Sequence, residues 1–301
     1  MLPKKILSVV ATHTFNLDKS HQYHLSITIS HGMVKICCIE HETKNCLLLA
    51  AYEMALDKNQ ASYIKQLEQI YNEDYFLIKK NWHAVTLSIS NQKFTLVPDL
   101  LLNKNQLPIY MHVACGLDVK DEVRSFTHVL AKMSLVFAEN AAVLDWFKQR
   151  YTDSNFHIIH QASAIIEGMH LEHPVIHKTL LFVWLDQHYL HIIARNKANL
   201  LYYNAFAYET CHDFLSRLKA VMDILGLKHN GCDLLISGFI EAKSLAYRQL
   251  KNYIPQAKLK TKICLLDPKT KIFKKVGSAP MLYFDVISSF FCHPYVSYSK
   301  Y

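Results

Sequence analysis

Residues 178–238 constrain the fold more than any other part of the chain. Leu180-Leu181-Phe182-Val183-Trp184-Leu185 is an unbroken apolar run, as suits a strand buried on both faces. Asp186-Gln187-His188 breaks it as a hairpin turn. Residues 189–194 make a second strand, 196–199 a second break, and 200–208 an aromatic third strand. Thr210 then offers a hydroxyl to cap a helix, with Asp213 placed in its first turn. Phe214, Leu215, Leu218, Val221, Met222 and Leu225 recur at helical spacing as one apolar stripe, and Gly226 supplies the stop. Asp233-Leu234-Leu235-Ile236-Ser237 reads as a fourth strand closing on Gly238.

The same layout occurs earlier, from Tyr23 to Glu53 and onward. Ala51-Tyr52-Glu53 recurs as Ala207-Tyr208-Glu209, an offset of 156 residues. That offset also carries Leu25 to Leu181, Ile27 to Val183, Ile29 to Leu185 and Ile36 to Ile192. A helix follows, with Tyr63, Ile64, Leu67, Ile70 and Tyr71 as its stripe, and then the strand Val85-Thr86-Leu87-Ser88-Ile89. Matching order, phase and stripe imply an internal repeat.

Around these units the chain reads as follows. Residues 1–22 are an irregular lead-in with one short apolar piece. Residues 94–97 are a strand stopped by Pro98, 99–103 a helical turn, and 111–116 extended. A strand at 134–138, a helix at 140–150 capped by Asn140, a strand at 156–160 and a helix at 162–169 imply crossover connections. Such connections predict mixed sheets flanked by helices. Pro174 marks a boundary, dividing the chain into residues 1–175 and 176–301. Beyond Gly238 come a helix at 242–253, a strand at 258–266, a turn at Asp267-Pro268 and a short strand at 271–276. A last helix at 281–291 starts from Pro280, and residues 294–301 form a loose tail.

Composition narrows the function classes. Half the residues are hydrophobic (51%), enough for a buried core, yet no run reaches membrane-spanning length. The N-terminus has no signal-peptide pattern, so a cytoplasmic protein is expected. The eight cysteines include no C-x-x-C pair and read as small buried hydrophobes. The net charge of +8 favours an acidic partner such as nucleic acid. The lysines are spread out, however, and the densest patch, residues 258–275, encloses the apolar Ile263-Cys264-Leu265-Leu266, so a nucleic-acid role is not favoured.

Three meandering strands followed by helix, strand, helix and strand, occurring twice, resemble the ribonuclease-H-like unit duplicated in actin-like ATPase-fold proteins. Phe94-Thr95-Leu96-Val97-Pro98 and the run from Leu135 through His160-Gln161-Ala162-Ser163-Ala164 also resemble the domain of unknown function 3822 family of Bacteroidetes. The layout is similar to that of the pilus-assembly protein PilM and the secretion protein GspL. An active member of the actin-like fold implies an acidic residue and glycines in the first hairpin of each half, to hold phosphates and Mg²⁺. Here Ile29-Ser30-His31-Gly32-Met33 has a glycine, but Ser30 replaces the acid. Leu185-Asp186-Gln187-His188 has the acid and no glycine. The adenosine-contacting turn, Ser237-Gly238-Phe239-Ile240, has one glycine followed by a bulky aromatic. No G-x-x-x-x-G-K or G-x-G-x-x-G pattern occurs.

Other chemistry finds less support. His157/His160 and His188/His191 lie three apart in strands and so face opposite sides. His170, His173 and His177 cluster at the boundary without a cysteine to complete a ligand set. Ser237-Gly238 lacks the first glycine of a nucleophile elbow. Trp82, Trp146 and Trp184 read as core anchors.

The expected function is a non-catalytic scaffold or interaction protein with an unidentified protein partner, no cofactor, no metal and no membrane span. The alternatives are a nucleotide-binding actin-like ATPase using Ser30, Gly32, Asp186 and Gly238, or a basic nucleic-acid-associated factor.

Overall fold

The computed structural model describes residues 2–11, 14–30, 32–56, 60–228, 231–267, 270, 272–276 and 280–292. His31 of the first hairpin, Pro268 of the expected turn, Lys271 and the expected loose tail lie outside the described residues.

The first half begins with β1 (Lys4–Val10), β2 (Tyr23–Ser30), β3 (Met33–Glu40), β4 (Cys46–Glu53), α1 (Gln60–Glu73) and β5 (Ala84–Ile89). An inserted module follows: β6 (Phe94–Pro98), α2 (Leu107–Ala114), β7 (Asp121–His128) and β8 (Met133–Asn140). The half closes with α3 (Ala141–Lys148), β9 (Asn155–His160) and α4 (Gln161–Glu172). The second half contains β10 (Thr179–Leu185), β11 (Tyr189–Asn196), β12 (Asn199–Ala207), α5 (Cys211–Ile224), β13 (Cys232–Gly238), α6 (Leu245–Tyr253) and β14 (Lys258–Leu259). A short α7 (Ile272–Val276) precedes the C-terminal segment, a 3-10 turn (Pro280–Tyr283), α8 (Phe284–Ser288) and a second 3-10 turn (Ser289–Cys292).

The six-stranded sheet runs β1-β4-β3-β2-β5-β9 and the five-stranded sheet β12-β11-β10-β13-β14. Apart from the added edge strand β1, both have the order third, second, first, fourth, fifth. The fourth strand lies parallel to the first, Ile29 beside Ile89 and Leu185 beside Gly238. This is the duplicated ribonuclease-H-like unit. The offset of 156 maps β2 and β3 onto β10 and β11. The third strands are equivalent at 154, because Glu53 pairs with Met33 whereas Ala207 pairs with Tyr189. Ala51-Tyr52-Glu53 and Ala207-Tyr208-Glu209 are therefore two residues out of equivalence.

Several expectations are corrected. The lead-in contains β1, because pairing with β4 satisfies a strand whose own pattern is half-exposed. Residues 111–116 belong mostly to α2, started by Pro108 in its first turn. The strand at 134–138 is the centre of a separate antiparallel sheet, β6-β8-β7, and not part of a crossover in the main sheet. The strand expected at 258–266 stops after two residues, and 272–276 is helical. Cys115 and Cys264 are exposed, whereas Cys37, Cys38, Cys46, Cys232 and Cys292 are buried as expected.

Burial explains the elements. In β10, Leu180, Phe182 and Trp184 face one core and Leu181, Val183 and Leu185 another, which is why the strand is apolar throughout. The second face is covered by Phe214, Leu218, Val221 and Met222 of α5, started by a full Thr210–Asp213 capping box. The first face joins a core that includes strands of the first half and Phe284, Phe290 and Phe291 of the C-terminal segment. α4 is buried on all sides between them. Gly168 permits this packing, since a Cβ there would lie 2.8 Å from Phe284 Cζ. The carbonyl end of α4 is closed by Arg195 of β11, which donates to Met169 O (3.0 Å) and His173 O (2.6 Å). Trp82, Trp146 and Trp184 are buried.

Candidate functional site

The turns after β2 and β10 face each other across the space between the two sheets. They bring Ser30 and Asp186 to one pocket of about 80 Å³, also lined by Met33, Lys35, Phe239 and Tyr283. Ligand pockets usually run to about 300–1,000 Å³. Gly32 and Gly238 do not line it. Gly32 (φ +92°) lies under Leu56 Cδ2, and its carbonyl accepts from Met54 N at 2.8 Å. Gly238 borders a separate pocket of about 580 Å³ with Ile240, Ser244, Leu259, Lys260 and Leu282. Phe239 lines both pockets and is 58% exposed.

The C-terminal segment fills the floor of the cleft. Lys35 of β3 extends its ammonium to Asp285 Oδ2 (3.0 Å), Asp285 Oδ1 (3.1 Å) and Leu282 O (3.0 Å). It also lies 5.1 Å from the ring centre of Trp184, whose indole N–H donates to Met281 O at 2.8 Å. Asp285 accepts a further bond from Gln161 Nε2 (2.8 Å), and Gln161 Oε1 accepts from Ser90 Oγ (2.6 Å). The carboxylate is fully buried, so this chain of donors is what permits its charge there. Sequence reasoning gave no role to Lys35 or Asp285. The available signal was a lone charge inside an apolar run, Val34-Lys35-Ile36 and Phe284-Asp285-Val286.

The second half repeats the theme with different residues. His191, the counterpart of Lys35 at the 156-residue offset, stands 3.6 Å from Asp186 and pairs through Nδ1 with the Tyr203 hydroxyl at 2.9 Å. Asp186 Oδ1 accepts from the backbone N–H groups of His188 (2.7 Å) and Tyr189 (2.6 Å), tying down its own turn. Burial pushes the Asp186 carboxyl up, but His191, Lys35 and the His188 N–H outweigh it and hold the group below its ordinary range.

Of the histidines singled out by spacing, His160 and His170 are engaged in the fold. His160 caps α4 through Nδ1 and bonds Asn91 O through Nε2, and His170 bonds Ile166 O and Ala198 O. Burial pushes His160 down to about 3. Burial, with Lys260 and Arg195 nearby, pushes His173 down to about 4. The unfolded chain takes up these protons below about pH 6.5. It then binds more protons than the folded chain, so stability falls as pH drops from there toward the folded values. His160 alone should account for a loss of about 1 kcal/mol between about pH 7 and 5.5. Urea denaturation at the two pH values should show this loss shrinking in His160→Asn, which keeps a cap acceptor.

Two sheets of the same strand order, facing each other across a cleft framed by the two first hairpins, define an actin-like ATPase fold. A protein from Bacteroides thetaiotaomicron VPI-5482 with actin-like ATPase fold and unknown function superposes with a TM-score of 0.74 at 18% identity. The match covers 82% of this chain and 94% of that one. The PilM-PilN type IV pilus biogenesis complex matches with a TM-score of 0.61 at 10% identity, over 89% of this chain and 97% of that one. No curated protein matches the chain in sequence. The chain belongs to the family described as Protein of unknown function (DUF3822), which matches residues 12–257. Among the described residues no helix is long and apolar enough to cross a membrane.

Proposed function

We propose that the chain is a non-catalytic scaffold or interaction protein whose two halves, residues 1–175 and 176–301, keep the actin-like architecture around a degenerate nucleotide site. The observation that carries this reading is the Lys35–Asp285 pair. A cation beside the first hairpin is already neutralised by the chain's own carboxylate, with Leu282 beside it. A polyphosphate entering there would find Lys35 already paired with the buried Asp285, an ionised Asp186 turned onto its own backbone, and a pocket too small for its charge and hydration. The similarity to a protein solved as the PilM-PilN complex supports a role carried out through protein contacts.

A second reading, a nucleotide-binding member of the fold, is favoured by the larger pocket beside Gly238. Thermal denaturation with saturating Mg·ATP separates the two. Ligand at about a hundredfold excess over its Kd adds about 2.7 kcal/mol, a shift of several degrees. No shift is expected here, and a clear one overturns the proposal.

A further inference from the structure

A pocket on the first half lies apart from the cleft. It measures about 410 Å³ and sits where the end of α1, the segment between α1 and β5 and the residues after α3 meet. It shares no lining residue with the two cleft pockets. Its apolar wall is Tyr71, Leu77 and Ile78, of which Ile78 is 61% exposed. Its charged groups are Glu68, Lys80 and Arg150. Arg150 is fixed before any ligand arrives. Its guanidinium stands 3.4 Å from the ring centre of Trp146 and 5.7 Å from that of Tyr71, and Nη1 donates to Trp146 O at 3.0 Å. Trp146 is itself held edge-on by Tyr71 and Phe147, each ring centre 4.8 Å away. A guanidinium held flat in this way loses little freedom when it binds.

Charge selects the occupant. Arginine carries five N–H donors, and among the described residues only Trp146 O takes one from Arg150. Nearby Lys148 is paired with Glu122 and Asp145, whereas among the described residues neither Lys80 nor Arg150 has an ion-pair partner. Glu68 acts on Arg150 through its field alone. Two cations against one anion leave the pocket a single positive charge. A carboxylate neutralises it and matches the planar fork of arginine with two parallel bonds. A phosphate dianion would overshoot it and be repelled by Glu68. The Tyr71–Leu77–Ile78 wall calls for an apolar group beside that carboxylate. Arginine, tyrosine and tryptophan are also the residues that carry most of the energy of protein interfaces.

We propose that this pocket binds a partner-protein segment in which an Asp or Glu side chain stands next to a large apolar residue, the carboxylate on Arg150 and Lys80 and the apolar group on Ile78. This names the partner chemistry that the scaffold reading leaves open, and it is tested apart from that reading, since Mg·ATP bears on the cleft and the peptide on this pocket. The probe is acetyl-Leu-Glu-Leu-amide, titrated into the full chain and followed in proton–nitrogen correlation spectra. The Arg150 Nε–H and Trp146 indole N–H signals, assigned from Arg150→Lys and Trp146→Phe, should shift and saturate at millimolar peptide. Acetyl-Leu-Gln-Leu-amide should leave them in place. Arg150→Lys keeps the charge and loses the fork, and should weaken binding about tenfold. Lys80→Gln should weaken it severalfold, and because Lys80 is exposed it keeps the result readable if Arg150→Lys disturbs folding. No shift at millimolar peptide overturns the proposal. So do equal binding of the glutamate and glutamine peptides, tighter binding of the corresponding phosphoserine peptide, and binding indifferent to both substitutions.

Discussion

Asp285→Ala should destabilise the protein by about 3–5 kcal/mol, the usual cost of removing one member of a buried ion pair. The reason lies in what remains. Lys35 is buried against Trp184 and keeps, among the described residues, only the Leu282 carbonyl as a direct hydrogen-bond partner, and Gln161 loses its acceptor. The ammonium must then shed its proton or admit water, and either costs free energy. Replacing both charges, as in Lys35→Met with Asp285→Leu, removes the uncompensated cation along with its partner. The double variant should recover most of the loss, because apolar pairs of similar volume often match or exceed buried ion pairs in stability. Equilibrium urea denaturation of the native chain, both single variants and the double variant gives the coupling directly. A single variant with near-native stability would mean that Lys35 reaches solvent. The same series bears on the proposed function. If Asp285 neutralises a cation that once faced a phosphate, pyrophosphate should stabilise Asp285→Ala more than it stabilises the native chain.

The sequence exposed the parts of the fold whose burial is simple. β10 sits inside a sheet covered on both faces, so its apolar run was readable, β2 was readable because Leu25, Ile27 and Ile29 keep the phase of β10, and Thr210 with Asp213 announced α5. Strands β1 and β7 were not readable, because each is an edge strand with half-exposed side chains and depends on its neighbour for its conformation. The alternating lysines at 258, 260 and 262 imitate a long strand, but only Lys258 and Leu259 find a parallel partner, in β13. The Ala-Tyr-Glu match misled for another reason. The third strands are displaced by two residues relative to the first two, so identity of letters did not mean identity of place. The floor of the cleft was the least legible part. Lys35 and Asp285 are 250 residues apart, and nothing local to either says that the other will neutralise it.

Gly238→Ala should cost about 3 kcal/mol or more, although glycine to alanine in a strand is ordinarily favourable. Gly238 has φ +92°, a conformation that a β-carbon strains by about 1–2 kcal/mol. The added carbon would also press into the Leu185 carbonyl oxygen and lie 2.9 Å from both Leu185 C and Leu185 N. These are backbone atoms of β10, paired on one side to β13 and on the other to β11, so they cannot swing aside as a flexible side chain does. The only relief is to part β10 from β13 at the point where Phe239 N donates to Leu185 O at 2.7 Å. This separates two reasons for a glycine at the end of the fourth strand. If the residue is there for close approach of strand to strand, Gly238→Ala lowers the denaturation midpoint strongly with no nucleotide present. If it is there to admit a ligand, the midpoint holds and only a ligand-induced shift is lost. The contact with Leu185 predicts the first outcome, and a variant as stable as the native chain would show that the β10–β13 junction gives way far more easily than its pairing implies.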